Sequence, residues 1–182
     1  MKKALLLVDI QNDYFEGGAM TLVGAHEASE KAKKVLAKFR SEKHPVIHIQ
    51  HKAISPTATF FIPNTSGVEI HSNVIPLPEE KVIVKNYPNS FRATELLAYL
   101  HLIDVTDLVI CGMMTHMCID ATTRAAKDFN FNCTVIGDAC ATRDLEVMGQ
   151  TTKANEVHYA FLAALNYFYA TVTVTSDYLT ES

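Results

Sequence analysis

The chain has 182 residues, of which 48% are hydrophobic, and a formal net charge of -4 at pH 7. This length fits one domain, residues 1–182, and the mild acidity excludes the broad basic surface that nucleic-acid binding needs. The apolar run at residues 4–8 stops too early for a signal peptide, and no run approaches the roughly 20 apolar residues that span a bilayer. We therefore expect a soluble, cytoplasmic protein that contacts neither nucleic acid nor membrane.

Strand-like and helix-like patterns alternate along the chain. Continuous apolar runs and one alternating run predict six strands, at residues 4–8, 46–50, 81–84, 105–111, 131–136 and 171–174. Apolar residues at helical spacing predict helices at about residues 25–40, 94–102, 118–129 and 151–169. Residues 52–78 follow no regular pattern, and a stretch of this kind inside a domain is often functional.

This alternation predicts an α/β fold: a three-layer α/β/α sandwich around a mostly parallel, doubly wound, six-stranded sheet. A Gly137-Asp138 turn is expected to end the fifth strand. The last strand alternates in polarity, so we place it near an edge of the sheet.

The four cysteines suggest neither a disulfide framework nor a zinc site, because no two of them form a CxxC pair. Cys111 and Cys133 lie inside apolar runs, where a free cysteine packs as a small hydrophobic side chain. Cys118 and Cys140 follow predicted strands and are candidates for chemistry. No helix begins at Cys140, so a structural role is favoured for it.

Three reactive side chains follow or end predicted strands. Asp9 follows the first strand, Lys85 closes the third, and Cys118 lies where the fourth passes into a helix. The carboxyl ends of parallel strands meet at one edge of a sheet, so these residues could lie together. Each also has an ordinary interpretation, as a turn residue, a surface charge and a buried thiol respectively. In combination they predict a nucleophilic cysteine site with Asp9 as general base.

The position of Cys118 predicts an activated sulfur. With Thr115 as the helix N-cap, Cys118 falls in the first helical turn, where backbone N–H groups point outward. The helix dipole and Lys85 would both favour the thiolate and lower the pKa of the thiol. The same N–H groups could form an oxyanion hole.

The eight histidines give only a weak metal signal. His48 and His51 lie on or just after the second strand, His71 lies in the irregular segment, and His116 lies near Cys118. No HxH, HExxH or compact His/Asp cluster is present. We expect no metal and no cofactor, and leave open whether His51 or His71 binds a metal.

Three segments resemble the isochorismatase-like cysteine hydrolase family, which includes nicotinamidases and N-carbamoylsarcosine amidases. They are Leu-Leu-Val-Asp9-Ile-Gln11-Asn-Asp-Tyr-Phe15, Val84-Lys85-Asn-Tyr-Pro-Asn-Ser90-Phe91 and Gly112-Met-Met-Thr115-His-Met-Cys118. A loop containing Asp138-Ala-Cys140 also matches, so the resemblance runs nearly end to end.

The resemblance implies that Asp9, Lys85 and Cys118 form a catalytic triad. It also implies a non-proline cis peptide between Met113 and Met114, with the Met114 and Cys118 amides forming the oxyanion hole. The expected reaction is hydrolysis of a C–N, amide-type bond of a small molecule through a thioester.

The resemblance also bears on substrate and metal. Metal-using nicotinamidases carry an Asp-x-His motif after the second strand, whereas this chain has Ile49-Gln-His51, which argues against both a metal and nicotinamide. Phe60, Phe61, Tyr87 and Phe91 are candidate walls of the substrate pocket, although ordinary packing in the core would also explain them.

Two alternative functions remain open from the sequence. One is hydrolysis of an isochorismate-like vinyl ether, which would not need Cys118. The other is a non-catalytic protein that binds a small ligand on the same fold, since fold alone does not establish function. The resemblance also implies a homo-oligomer.

Overall fold

The computed structural model describes residues 2–180. These residues contain eight strands: β1 (Lys3–Val8), β2 (Val46–His51), β3 (Lys81–Lys85), β4 (Asp107–Met113), β5 (Asn132–Ala141), β6 (Leu145–Val147), β7 (Gln150–Thr152) and β8 (Thr171–Thr173). The five α-helices are α1 (Ala25–Ser41), α2 (Leu96–Leu102), α3 (Asp120–Asp128), α4 (Ala154–Phe168) and α5 (Thr175–Thr180).

The main sheet has six strands in the order β3-β2-β1-β4-β5-β8, and all neighbouring pairs are parallel. The six predicted strands and the α/β fold class are therefore confirmed, and β8 lies at an edge as expected. Residues 4–8 of β1, near the sheet centre, are almost completely buried. Burial on both faces explains why this strand is a continuous apolar run rather than an alternating one.

The helices pack beside the sheet in two groups. Helix α1 packs against β5 and α5, whereas α3 and α4 contact each other and the turn that follows β4. None of the helices between residues 2 and 180 has both the length and the apolar composition that crossing a bilayer requires. Beyond the predicted elements, β6 and β7 form a separate two-stranded antiparallel sheet, and α5 follows β8.

The prediction that a Gly137-Asp138 turn ends the fifth strand is wrong. Strand β5 continues to Ala141 across a register shift, because Val135 pairs with Ile110 whereas Cys140 pairs with Gly112. The extra β5 residues form a bulge in which Asp138 Oδ1 accepts hydrogen bonds from the amide and hydroxyl of Thr175, both 2.7 Å long. Gly and Asp therefore shape an irregularity within a strand instead of a chain reversal.

Cys140 consequently lies inside β5 rather than beyond a strand end. Its side chain is buried, and the thiol donates a hydrogen bond of 3.4 Å to the carbonyl of Ile136. Burial raises the pKa of Cys140 to about 12, which agrees with a structural thiol. Cys111 and Cys133 are also buried, as predicted.

Gly112 allows β4 to approach β1 at the end of the sheet that carries the candidate site. Gly112 pairs with Val8 and has φ 131°, a backbone conformation that L side chains rarely adopt. An added Cβ would lie 2.0 Å from the carbonyl oxygen of Val8. The absence of a side chain thus sets the spacing between the residues that precede Asp9 and those that lead to Cys118.

Candidate active site

Asp9 and Lys85 meet at the carboxyl end of the sheet. Lys85 Nζ lies 2.7 Å from Asp9 Oδ2, and both side chains are completely buried. Asp9 follows β1 and Lys85 ends β3, so the lysine side chain reaches past the end of the intervening β2. His51, the last residue of β2, is the register partner of Lys85. The side chains from three adjacent strand ends therefore converge.

The Lys85 ammonium is surrounded by acceptors. It donates hydrogen bonds of 3.1 Å to the carbonyls of both Tyr87 and Pro88, and lies 3.4 Å from His51 Nδ1. Burial alone would lower the pKa of Lys85, but the charge of Asp9 and hydrogen bonds to Asp9 and Cys118 raise it above its ordinary value. The lysine is therefore a permanent cation at this edge of the sheet.

Asp9 has a left-handed backbone, with φ 51°, which aspartate tolerates better than most residues. Its amide donates a hydrogen bond of 3.0 Å to the carbonyl of Ile49, which holds the end of β1 against β2. Its buried carboxylate interacts with both the Lys85 ammonium, 2.7 Å away, and the Cys118 thiol, and hydrogen bonding contributes to each interaction. A carboxylate in contact with the thiol is suited to receive its proton.

Cys118 is buried in a π-helical turn, Thr115–Ile119, whose N-cap is Met114. Cys118 thus lies in the first helical turn, as predicted, but Thr115 is wrong as N-cap, and this turn is a π turn that passes into α3 at Asp120. The sequence could not distinguish these cases, because a π turn needs the same residue types as an α-helix. Such turns occur frequently at functional sites.

The expected lowering of the Cys118 pKa is also wrong. Burial raises the pKa of the Cys118 thiol, and the negative charge of Asp9 raises it further, whereas Lys85 lowers it. The first two effects exceed the third, so the sulfur is a neutral thiol in the free protein. Removing the thiol proton would require a neighbouring base, and the Asp9 carboxylate lies beside Cys118.

The turn that carries Cys118 is fixed by neighbouring elements. The peptide bond between Met113 and Met114 is cis, at the position where the family resemblance places one. The Met114 carbonyl accepts hydrogen bonds from the amides of Met117 and Ile119. Thr115 Oγ1 donates to the carbonyl of Ala141 at 3.2 Å. These contacts hold the turn against β5.

A second set of contacts joins the lysine segment to the helix that follows Cys118. Ser90 Oγ lies 2.8 Å from Thr122 Oγ1, and the Ser90 amide donates to the same oxygen at 3.1 Å. Both residues are completely buried. Because Ser90 belongs to the loop after β3 and Thr122 to α3, this pair fixes Lys85 relative to Cys118.

Gln11 and Asp13 fasten the irregular segment 52–78 over the strand ends. The Gln11 amide group donates to the carbonyls of His51 and Val68, at 2.9 and 2.7 Å, and accepts from the His51 amide at 2.7 Å. Asp13 accepts hydrogen bonds from the amides of Phe61 and Ala19. The sequence alone does not identify the roles of Gln11 and Asp13, although a polar run directly after a buried strand is a signal for such residues.

A cavity of about 220 Å³ lies at His51, on the side of the irregular segment. It is lined by His51, Ala53, Ile54, Ser55, Ala58, Phe60, Phe61 and Asn86. None of these side chains carries a fixed charge, so the cavity suits a small, uncharged molecule.

The four predicted wall aromatics fall into two groups. Phe60 and Phe61 line the cavity. The ring of Tyr87 instead lies under the Arg92 guanidinium, 3.9 Å from it, and the Tyr87 carbonyl accepts a hydrogen bond from Lys85. Phe91 is buried with its ring 5.2 Å from that of Phe129, in an aromatic cluster of the core.

Asp9, His51 and Cys118 each place one potential ligand atom within 4.8 Å of the others. A metal-binding interpretation does not fit these residues, because the Lys85 ammonium lies 2.7 Å from Asp9 and 3.4 Å from the His51 nitrogen. A divalent cation among them would face a buried positive charge. His71, the other histidine left open, stacks on Phe15 with 3.6 Å between ring centroids.

Comparison with known proteins identifies the family to which the chain belongs. Residues 3–177 match the model of the isochorismatase domain. The chain is 51% identical over 179 residues to YddQ, an uncharacterized isochorismatase family protein of Bacillus subtilis (strain 168), covering 98% of this chain and 99% of that protein. A crystal structure of an isochorismatase hydrolase from Oleispira antarctica has a TM-score of 0.94 and 46% identity, covering 98% of this chain and 96% of that one.

A relative with a named activity is also found. The chain is 35% identical over 143 residues to streptothricin hydrolase of Streptomyces noursei, which covers 79% of this chain but only 51% of that longer protein. The family match spans nearly the whole chain, including the segments that carry Asp9, Lys85 and Cys118. This chain therefore belongs to the isochorismatase family and is a hydrolase of that family.

Proposed function

We propose that the protein is a cysteine-dependent hydrolase that cleaves a C–N, amide-type bond of a small molecule through a thioester intermediate. The observation that carries this proposal is the completely buried Asp9–Lys85 pair, 2.7 Å apart, whose charges both act on the Cys118 thiol. A base, a cation and a nucleophile at one strand-end cluster are the parts that covalent acyl transfer requires.

In the first half of the reaction, Asp9 takes the proton of the Cys118 thiol as the sulfur attacks the acyl carbon. The raised pKa of Cys118 makes this transfer part of the reaction, because little thiolate exists beforehand. Lys85 stabilises the negative charge that develops on sulfur. The backbone amides of Met114 and Cys118 are the proposed donors to the carbonyl oxyanion.

In the second half, the leaving nitrogen takes the proton from Asp9 and departs as an amine or ammonia, which leaves the acyl group on Cys118 as a thioester. Asp9 then removes a proton from water, which adds to the thioester carbon. Collapse of this adduct releases a carboxylic acid and returns the proton to the sulfur. Each proton moves through Asp9, so one carboxylate serves as base and acid in turn.

The substrate class follows from the cavity. Its volume of about 220 Å³ admits only a small group, and its lining of aromatic, aliphatic and neutral polar side chains favours an uncharged one. We propose that segment 52–78 selects the substrate, because it supplies most of this lining and is held in place by Gln11 and Asp13.

A panel of small, uncharged primary and secondary amides tests the proposal, with ammonia or amine release as the readout. We expect the wild type to hydrolyse at least one amide and the Cys118→Ala variant to hydrolyse none. Cys140→Ala is the matched control, because it removes a buried thiol that has no proposed role. Amide hydrolysis by the Cys118→Ala variant would contradict cysteine catalysis. Hydrolysis of no amide, with cleavage of isochorismate by both proteins, would instead favour the vinyl ether alternative.

A further inference from the structure

We propose that the outward side of α4 is an interface for a second copy of this chain, with the two α4 helices packed antiparallel across a twofold axis. The residues of this α4 outer face are all exposed in the single chain: Tyr159, Ala160, Ala163, Ala164, Tyr167 and Phe168. The inference concerns assembly and does not depend on the proposed function.

The composition of α4 supplies the first argument. Its inner side carries the buried residues Ala154, Val157, Leu162 and Leu165. Between residues 157 and 170 the sequence has no Asp, Glu, Lys or Arg, so the outward side lacks the charges of a helix that faces water. The exposed side of α1, by contrast, carries Glu27, Lys33 and Lys34. A helix that is apolar all round is normally buried all round.

The exposed area of the α4 outer face supplies the second argument. Tyr167 is 89% exposed, Tyr159 70% and Phe168 65%. Three aromatic side chains at these exposures, together with the three alanines, would bury about 500 Å² per chain, since a covered aromatic side chain buries about 150–250 Å². A pair of chains would therefore bury about 1,000 Å² through α4 alone, which reaches the lower limit of a specific interface.

The order of large and small side chains identifies the partner as a second copy. Ala160 and Tyr167 are two helical turns apart, and Ala163 and Ala164 lie midway between them. When two antiparallel helices meet at a twofold axis level with these central alanines, Tyr167 of each chain packs on Ala160 of the other. Small central residues let the helices approach closely. A face that is complementary to itself in this way is what a twofold interface requires.

Sedimentation velocity at concentrations up to hundreds of micromolar tests the interface. We expect the wild type to have at least twice the chain mass of 20.2 kDa. Ala164→Glu should halve the observed mass, because it places two like charges beside the axis and removes both from water. Ala37→Glu adds the same charge at an exposed position of α1 and should leave the mass unchanged. Circular dichroism checks that both variants remain folded.

A charge exchange at the same position separates pairing from a general effect of added charge. Ala164→Lys should have the same reduced mass as Ala164→Glu, since it also brings like charges together at the axis. An equimolar mixture of the two variants should recover the wild-type mass, because opposite charges then meet. A mixture in which both variants keep the reduced mass would contradict pairing through Ala164.

Engineered cysteines test the antiparallel arrangement. The four native cysteines are buried, and a disulfide forms only between residues whose Cα atoms lie within about 7 Å. Antiparallel packing predicts a disulfide-linked pair of chains when Ala160→Cys and Tyr167→Cys proteins are mixed, and none in either protein alone. Disulfides within each protein alone would indicate parallel packing and overturn the proposed arrangement.

Two further results would overturn the inference itself. A wild type that remains a single chain throughout the concentration range would leave the α4 outer face for a different partner. An assembly whose mass is the same in the wild type and Ala164→Glu would show that the copies associate through another surface.

Discussion

The Lys85 ammonium lies 2.7 Å from the Asp9 carboxylate, and neither side chain is exposed to solvent. Removing one charge leaves the other buried and uncompensated, which typically costs about 3–5 kcal/mol of unfolding free energy. We expect Lys85→Met to be destabilised by about this amount, and Asp9→Asn/Lys85→Met to recover part of the loss. Urea denaturation of the three proteins measures both effects. A Lys85→Met protein as stable as the wild type would show that the pair is not buried as described.

Gly112 should be intolerant of any side chain. Gly112→Ala adds a Cβ that would lie 2.0 Å from the carbonyl oxygen of Val8, at a backbone conformation that alanine rarely adopts. We expect a loss of roughly 2–5 kcal/mol in unfolding free energy and a large loss of activity, because β4 must move away from β1 beside Asp9.

Gly149 provides the control for this experiment. It also has a left-handed backbone, with φ 72°, but an added Cβ would meet no atom within 4 Å. Gly149→Ala should therefore cost about 1 kcal/mol from backbone strain alone and leave activity intact. Equal effects of the two substitutions would refute the close approach of β4 to β1.

Asp13 should act on substrate binding rather than on chemistry. Asp13→Ala removes the acceptors of the Phe61 and Ala19 amides, which are bonded at 2.6 and 3.2 Å. Because Phe61 lines the cavity, we expect KM to rise several-fold while kcat changes little. Steady-state kinetics on an amide identified by the panel measures both constants. A fall in kcat without a change in KM would place Asp13 in the reaction itself.

Glu80 should make stability depend on pH in the acid range. It pairs with Arg40 at 2.7 Å and with His48 at 2.9 Å. Burial raises the pKa of Glu80, but its hydrogen bonds lower it to about 2, below the value of 4.5 for a free side chain. A lowered pKa in the folded state means that this stabilisation is present above pH 4.5 and disappears as the pH falls toward 2.

Glu80→Gln keeps the shape of the side chain and removes its charge. We expect the wild type to be more stable than this variant at pH 6, with the difference shrinking steadily between pH 4.5 and 2. Unfolding measured at four pH values in this interval checks the trend. A stability difference that does not vary with pH would exclude the Glu80 charge as its cause.

The fold and the main candidate residues could be predicted from the sequence because their signals are local. Buried parallel strands appear as continuous apolar runs, and Asp9 and Lys85 stand directly at strand ends. The bulge in β5 could not be predicted in the same way, since Gly137 and Asp138 also suit a chain reversal. Only pairing with β4 and the Asp138–Thr175 hydrogen bonds show which structure forms.

The electrostatic state of the site depends on packing, which the sequence does not encode locally. A cysteine near a helix start and a lysine suggested a lowered pKa, but complete burial and the charge of Asp9 outweigh Lys85. The contact between His51 and Lys85 likewise depends on the parallel register that pairs the two residues. Both results concern distances between strands rather than residue spacing along the chain.

We propose that Cys118 forms an acyl-enzyme with Asp9 as its base, and rapid-quench intact-protein mass spectrometry with p-nitrophenyl acetate can detect this intermediate. We expect one acetyl group, mapped by peptide digestion to Cys118, that forms rapidly and is lost by hydrolysis. The adduct should be absent from Cys118→Ala and form at least roughly 100-fold more slowly in Asp9→Asn. An acetyl group on another residue, or equal rates in the wild type and Asp9→Asn, would contradict this account.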